Sequence, residues 1–307
     1  MKGLDLSKLY YETYGKKMLT SEFHDVMDRI AVGLVGHGSE CFGFDDGISQ
    51  DHDFEPGFCL WLTEEDEKAF GFRLFRAYRR LPKEFMGITL KEESVLGSKK
   101  RGVQTISSFY SYYTGSGGAP SSLEAWVRIP SFYLAEATNG EVFSDPLGEF
   151  TKIRETILHG MPKDALKKRV ASSLLVMAQS GQYNIKRCLL HREYEAAAMA
   201  RSLFVKEALE IVYLLNGRYC PYYKWAFRGL ESLSLLNKEG NALKAITLAP
   251  VTEELPPTVE KVTRGIITEL IRQGYSQDLG DYLEPYAYRI HQTIRDSELR
   301  AMPVILS

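Results

Sequence analysis

Between Ala31 and Leu62 the chain reads AVGLVGHGSECFGFDDGISQDHDFEPGFCLWL, two apolar runs separated by a glycine-containing acidic loop. This stretch constrains the fold most tightly. Ala31, Val32, Leu34 and Val35 end in Gly36-His37-Gly38-Ser39. A short apolar run ending in glycines is the pattern of a buried strand followed by a turn where backbone approaches something closely. Asp51-His52-Asp53 then leads into Phe58-Cys59-Leu60-Trp61-Leu62. Acids two apart on a strand project from one face. They repel unless a cation lies between them, and a divalent metal with oxygen ligands is the usual solution. His52 falls on the opposite face, where a packing role is expected.

At 307 residues the chain has room for two domains, taking roughly 100–200 residues for each. Its hydrophobic content of 44% and charged content of 25% are those of an ordinary globular protein. A net charge of −2 provides no global attraction for polyanions, which argues against a nucleic-acid partner. The four cysteines have no paired short spacing, as expected of reduced thiols in a cytoplasmic protein. Neither a signal-like leader nor a run of ~18 apolar residues is present, so no membrane association is expected.

In chain order, helical spacing predicts helices over 4–18, 21–30 and 64–81, the last stopped by Pro82. An irregular stretch over 83–100 precedes a strand at 102–106. The segment 114–122 is loop by composition, and 126–137 is mixed. Asn139-Gly140 is a turn into the strand Glu141-Val142-Phe143, and Asp145-Pro146-Leu147-Gly148 turns into a helix over 149–158. After Gly160 strand signals vanish. Amphipathic helices are predicted at 164–180, 193–216, 221–236, 257–273 and 279–300, joined as in an antiparallel bundle. The expected class is α+β, a mixed sheet with flanking helices over 1–160 followed by an all-α helical bundle over 161–307.

The Gly38-Ser39 turn, eleven intervening residues and Asp51-x-Asp53 resemble the signature of the polymerase-beta-like nucleotidyltransferase superfamily. A wider set of residues is similar to one poorly characterised bacterial branch with a C-terminal helical domain. It comprises Gly36-His37-Gly38-Ser39-Glu40, Phe44-Asp45-Asp46, Ile48-Ser49-Gln50-Asp51-His52-Asp53 and Pro56. Asn139 to Phe143, Tyr183-Asn184 with Arg187, and Leu215-Asn216 with Tyr219, Pro221, Lys224 and Trp225 extend it over most of the chain.

The resemblance implies a nucleotidyltransferase-like sheet and transfer of a nucleotidyl group, adenylyl first among the choices, from a nucleoside triphosphate such as ATP. The acceptor would be a hydroxyl of a small molecule or protein. Such a transfer expels pyrophosphate in line, so charge must be neutralised at the attacking and leaving oxygens. Asp51 and Asp53 would be the metal ligands, holding Mg2+. Gly38 and Ser39 would meet the triphosphate, and Ser49 would orient the Asp51 loop.

The superfamily adds a third carboxylate from a neighbouring strand. On the strand nominated here that position is Gln104, which cannot act as a base. Glu141 is the next candidate catalytic acid, and Asp145 either shares that role or holds a turn. Asp45 and Asp46 are read as solvated loop charges within reach of the metal, and Lys99-Lys100-Arg101 as a solvated loop. In the helical half, Asn184, Arg187, Lys206 (a lone cation on an apolar face) and Lys224 are candidate nucleotide contacts. Trp225, with Tyr222 and Tyr223, either meets the base or packs the bundle. The alternative function is a non-catalytic nucleotide-binding protein.

Overall fold

The computed structural model describes residues 1–50, 55–89 and 101–306. The chain is α+β with a mixed four-stranded sheet. It divides into two compact units: Met1–Ser121 with Tyr133–Gly160, and Ser122–Phe132 with Met161–Ser307.

In the first unit the strands are β1 (Ala31–Leu34), β2 (Cys59–Leu62), β3 (Glu84–Phe85), β4 (Ile88–Thr89), β5 (Gly102–Thr105) and β6 (Glu141–Ser144). The sheet order is β5-β2-β1-β6, while β3 and β4 form a separate small hairpin within the stretch expected to be irregular. β1 runs antiparallel to β2 and β6, and β2 runs parallel to β5 with Trp61 opposite Gln104. β1 and β2 are central and buried at every residue, which explains their unbroken apolar runs. Val32, Leu60 and Leu62 pack with Tyr10, Phe23 and Leu74. Trp61 stacks on Phe150 at 4.0 Å and meets Phe109 edge-on at 5.5 Å.

The first helix is longer than its periodicity suggests. Gly3–Tyr10 continues through a π turn, Tyr11–Gly15, into Lys16–Glu22. The helix expected at 21–30 does not form. Phe23 leaves helical geometry to enter the core, and a 3-10 turn, Met27–Arg29, leads into β1. The predicted 64–81 helix is Glu64–Asp66, a π turn Glu67–Gly71 and Phe72–Arg79, started by Thr63, whose hydroxyl accepts the Asp66 N–H. A helix not foreseen, Ile106–Thr114, begins directly after β5, with the Thr105 hydroxyl accepting the Ser108 N–H at 3.0 Å. The helices Leu123–Arg128 and Ser131–Thr138 occupy the stretch read as mixed.

The second unit is helical. Lys163–Met177 is buried over most of its surface and continues through the π turn Ala178–Asn184 into Ile185–His191. Around it lie Tyr194–Leu215, Leu255–Arg272 and Leu283–Gln292, sharing a core that includes Val170, Leu174, Phe204, Ile266 and Tyr286. The span 221–236 holds only Tyr223–Gly229 and a 3-10 turn, and Asn237–Leu248 forms a helix of its own. Leu123–Arg128 belongs to this unit. Arg169 Nη1 donates to the carbonyls of Trp126 and Ile129, each at 2.9 Å, and Arg169 Nη2 donates to Ser131 Oγ at 2.7 Å. Among the described residues no helix is long and apolar enough to cross a membrane.

Lys168 is fully buried in this unit and donates to His291 Nε2 at 2.9 Å and to the carbonyls of Met302 and Pro303. An ammonium can only donate, so His291 Nε2 must carry a lone pair. Burial, reinforced by the Lys168 charge, lowers the His291 pKa. The unfolded chain therefore binds this proton more readily than the native one, and stability falls as pH drops through about 6.5. Melting temperatures between pH 7.5 and 5 should decline, with a shallower decline in His291→Gln; equal slopes in both would remove His291 as the cause.

Candidate functional site

β1 leaves the sheet at Val35 and enters Gly36-His37-Gly38-Ser39. Gly36 and Gly38 have φ values of 119° and 123°, a region closed to ordinary L side chains. The loop is gripped from the β6 side. The Gly36 N–H donates to Asn139 Oδ1 and Asn139 Nδ2 donates back to the Gly36 carbonyl, both at 2.8 Å. Gly140 then donates its N–H to the Cys41 carbonyl at 2.7 Å. Arg154 Nη2 donates to the carbonyls of Thr138 at 2.8 Å and Asn139 at 3.3 Å. The Asn139-Gly140 turn is thus a clamp on the glycine loop as well as the entry to β6.

Past the clamp, the Ser39 carbonyl accepts the Phe44 N–H at 2.8 Å. Among the described residues the half-buried Ser39 hydroxyl has no hydrogen-bond partner. Glu40 is buried and pairs with Arg101 Nη2 at 3.3 Å, while Arg101 Nη1 reaches Glu55 Oε1 at 3.1 Å. Arg101 is therefore not part of a solvated loop: its side chain is 8% exposed because two carboxylates compensate its charge. Asp45 is likewise not solvated. It is buried, and its Oδ2 accepts the Gly3 N–H at 2.8 Å at the start of the first helix. Asp46 Oδ1 accepts the Ser49 N–H at 3.1 Å and the Ser49 hydroxyl at 3.2 Å, so Ser49 is held in the turn preceding Asp51.

Asp51 and Asp53 lie outside the described residues, as do Lys99 and Lys100. β2 begins at Cys59, and the irregular segment 55–58 stands between Asp53 and that strand. Glu141 sits opposite Leu34 in the β1–β6 pair and is bound to Lys8 Nζ at 2.5 Å, a hydrogen bond that raises the Lys8 pKa. Asp145 holds a turn: its Oδ2 accepts the Thr151 N–H at 2.8 Å and its Oδ1 the Gly148 N–H at 3.2 Å. Among the described residues no group of three or more His, Cys, Asp or Glu side chains is placed to hold a metal ion.

A cavity of about 730 Å³ opens beside the loop. Val35 and His37 from the end of β1, Gln104 from β5, Tyr112 and Tyr113 from helix Ile106–Thr114, and Phe75 are in its wall. His37 Nδ1 lies 2.7 Å from Glu136 Oε2, off the ring N–H axis, and His37 Nε2 is 2.8 Å from the Tyr112 hydroxyl. Sequence reasoning singled out neither Tyr112 nor Glu136. They lie 75 and 99 positions from His37, and neither belongs to a short motif. Burial raises the Tyr112 hydroxyl pKa, so the phenol stays protonated.

The remaining candidates belong to the second unit. Asn184 is exposed at the end of a π turn, and Arg187 lies over the Tyr183 ring at 5.2 Å. Lys206 is not a lone cation on an apolar face: it is 78% exposed and 3.5 Å from Glu207 Oε1, because the apolar side of that helix is turned to the core. Lys224 and Arg228 both lie over Trp225, at 5.1 and 5.2 Å from the ring centre. Tyr222 packs on Phe132 at 5.7 Å. Asn216 is a loop anchor, with its Oδ1 accepting the Leu235 N–H at 2.9 Å and its Nδ2 donating to the Val212 carbonyl at 2.8 Å.

A family model described as a domain of unknown function, DUF4037, matches residues 126–226. The chain matches no curated protein and no solved structure at a significant level.

Proposed function

We propose that the chain is a nucleotidyltransferase-like protein that binds a nucleoside triphosphate, ATP first among them, at the loop following β1. It transfers the nucleotidyl group to a hydroxyl of a small-molecule or protein acceptor. The observation that carries this reading is the glycine loop itself. Gly36 and Gly38 hold backbone geometry that bulkier residues cannot adopt, the Asn139-Gly140 clamp fixes it, and the Ser39 hydroxyl is uncommitted among the described residues. Such a loop suits the close approach of phosphate oxygens to backbone N–H groups. The mixed sheet supports the reading, with β5 next to β2 as the source of a third site residue.

A Mg2+ ion would rest on Asp51 and Asp53; when bound it would neutralise phosphate charge. Glu40, Asp45, Asp46 and Glu141 are engaged with Arg101, the first helix, the Ser49 turn and Lys8. Each of them already has a partner in the fold, and Glu141 remains half exposed. Gln104, together with these engaged acids, favours the second reading, a nucleotide-binding protein without transfer.

Calorimetric titration with ATP and Mg2+, paired with pyrophosphate release in a metabolite extract, separates the two. Binding with release is expected for the enzyme and binding alone for the second reading. Asp51→Ala combined with Asp53→Ala should abolish metal-dependent binding, and binding that survives in that variant would sink both.

A further inference from the structure

The loop that holds the glycines also carries an imidazole whose surroundings are those of a working base. His37 lies between Gly36 and Gly38, so its backbone is fixed by the same clamp. One ring nitrogen, Nδ1, is 2.7 Å from the carboxylate of Glu136, which is 6% exposed. Glu136 Oε2 has no hydrogen bond of its own, and the imidazole Nδ1 is the polar atom beside it. The other nitrogen, Nε2, is 2.8 Å from the hydroxyl of Tyr112 at the cavity wall. With the proton on Nδ1, the ring nitrogen beside Glu136, Nε2 is the acceptor. Carboxylate, imidazole and hydroxyl thus stand in the order orienter, base and proton donor.

The cavity indicates what the donor carries. Aromatic side chains, among them Phe72, Phe75 and Phe109, form part of its wall, and its polar groups include His37, Glu67 and Gln104. Phe72 and Phe75 are 72% and 38% exposed, so both rings offer apolar surface at the cavity mouth. Tyr112 is 54% exposed and sits on the cavity side of the imidazole, where a ligand hydroxyl can take its place.

We propose that His37, oriented by Glu136, is the proton acceptor for the hydroxyl of a ring-bearing, mostly apolar compound bound in this cavity, with Tyr112 holding the position until that ligand arrives. This rests on the transferase reading for its chemical outcome. The ligand O–H proton passes to His37 Nε2, and the freed oxygen lone pair forms the new O–P bond at the α-phosphorus of the nucleoside triphosphate. The bond from the α-phosphorus to its bridging oxygen breaks, and pyrophosphate leaves with that electron pair. His37 then returns its proton to solvent. Among the described residues, Glu67, Glu136, Tyr112 and Tyr113 are the other titratable groups at the cavity or the imidazole.

The test uses p-nitrophenol, a ring-bearing hydroxyl whose ionised form is yellow, with the full-length protein and no nucleotide. Binding to the wild type should increase the yellow fraction over that of the free probe at the same pH. His37→Gln should remove the increase, Glu136→Gln should diminish it with the imidazole still in place, and Tyr112→Phe should retain it. If His37→Gln does not fold, Glu136→Gln and Tyr112→Phe decide the matter. An unchanged probe spectrum on the wild type, or an increase indifferent to His37 and Glu136, overturns the proposal. With ATP and Mg2+ added, transfer to the probe should fall about 100-fold or more in His37→Gln. A His37-dependent spectrum without pyrophosphate release would retain the base and discard the transferase reading. A nucleotidyl group found on Tyr112 itself by mass spectrometry would overturn the acceptor pocket.

Discussion

Gly140→Ala is expected to destabilise the first unit by more than about 3 kcal/mol. Two costs combine. At φ of 62° an alanine is in the left-handed region, a strain of about 1–3 kcal/mol in surroundings that cannot relax. Its Cβ would also lie 1.9 Å from the Leu34 carbonyl oxygen, and backbone in the middle of a sheet cannot move aside as a side-chain tip would. The strand pair must shift, and with it the bond from the Gly140 N–H to Cys41. Urea unfolding monitored by tryptophan fluorescence provides the measurement, since Trp61 lies in the same sheet. Gly43→Ala is a matched control: its φ is 69° but no atom lies within 4 Å of the added Cβ, so it should cost about 1 kcal/mol. Equal losses in the two variants would mean that the clash carries no weight.

The second large effect is expected for Lys168→Met. The substitution keeps most of the volume but removes the donor shared by His291 Nε2 and the carbonyls of Met302 and Pro303. An abandoned buried acceptor costs about 1–3 kcal/mol, and partial exposure of the 302–303 segment lets water recover some of that. A net loss of about 2–3 kcal/mol is expected, together with faster proteolysis within 297–306. The two readouts belong together. If stability falls while the tail remains as resistant as before, the lysine acts through its own burial instead of by holding the tail.

Legibility in the sequence followed the range of the interactions. β1, β2, β5 and β6 are short apolar or turn-bounded runs, and local pattern suffices to place them. Helix Ile106–Thr114 was not legible, because ISSFYSYYT is rich in aromatic and hydroxyl side chains of weak helix propensity. Its start depends on the Thr105 cap and its persistence on Phe109 and Tyr110 packing against Phe150. The three π turns have no local signature. Each of them ends in or contains a glycine, and at Gly15 and Gly181 a Cβ would meet Phe58 or Phe204 at 2.4 and 2.3 Å.

At the candidate site, Gly36, Gly38 and Ser39 stand out because glycine is rarely neutral before a turn. Asn139 reads as an ordinary turn residue, since the backbone it grips is 103 positions earlier. The charges misled for a related reason. Arg101 and Asp45 have the composition of a wet loop, and only tertiary structure supplies Glu40, Glu55 and the Gly3 N–H as partners. Lys206 erred the other way, placed against the core by a periodicity that turns it outward.

The segment Ser122–Phe132 has a consequence for the order in which the protein can be completed during synthesis. It is made while the first unit is unfinished, yet it belongs to the second. Its partner Arg169 is made some forty residues later, and Val127 packs with Ile294 and Leu299, which are made far later still. Trp126 and Val127 must therefore wait, exposed, until these partners are made, and contacts this distant in sequence form slowly. The stretch that holds Ile294 and Leu299 acts as the closing signal for a segment laid down long before it. A ribosome stalled shortly before Ile294 should present that segment to a chaperone or protease, whereas synthesis past Leu299 withdraws it.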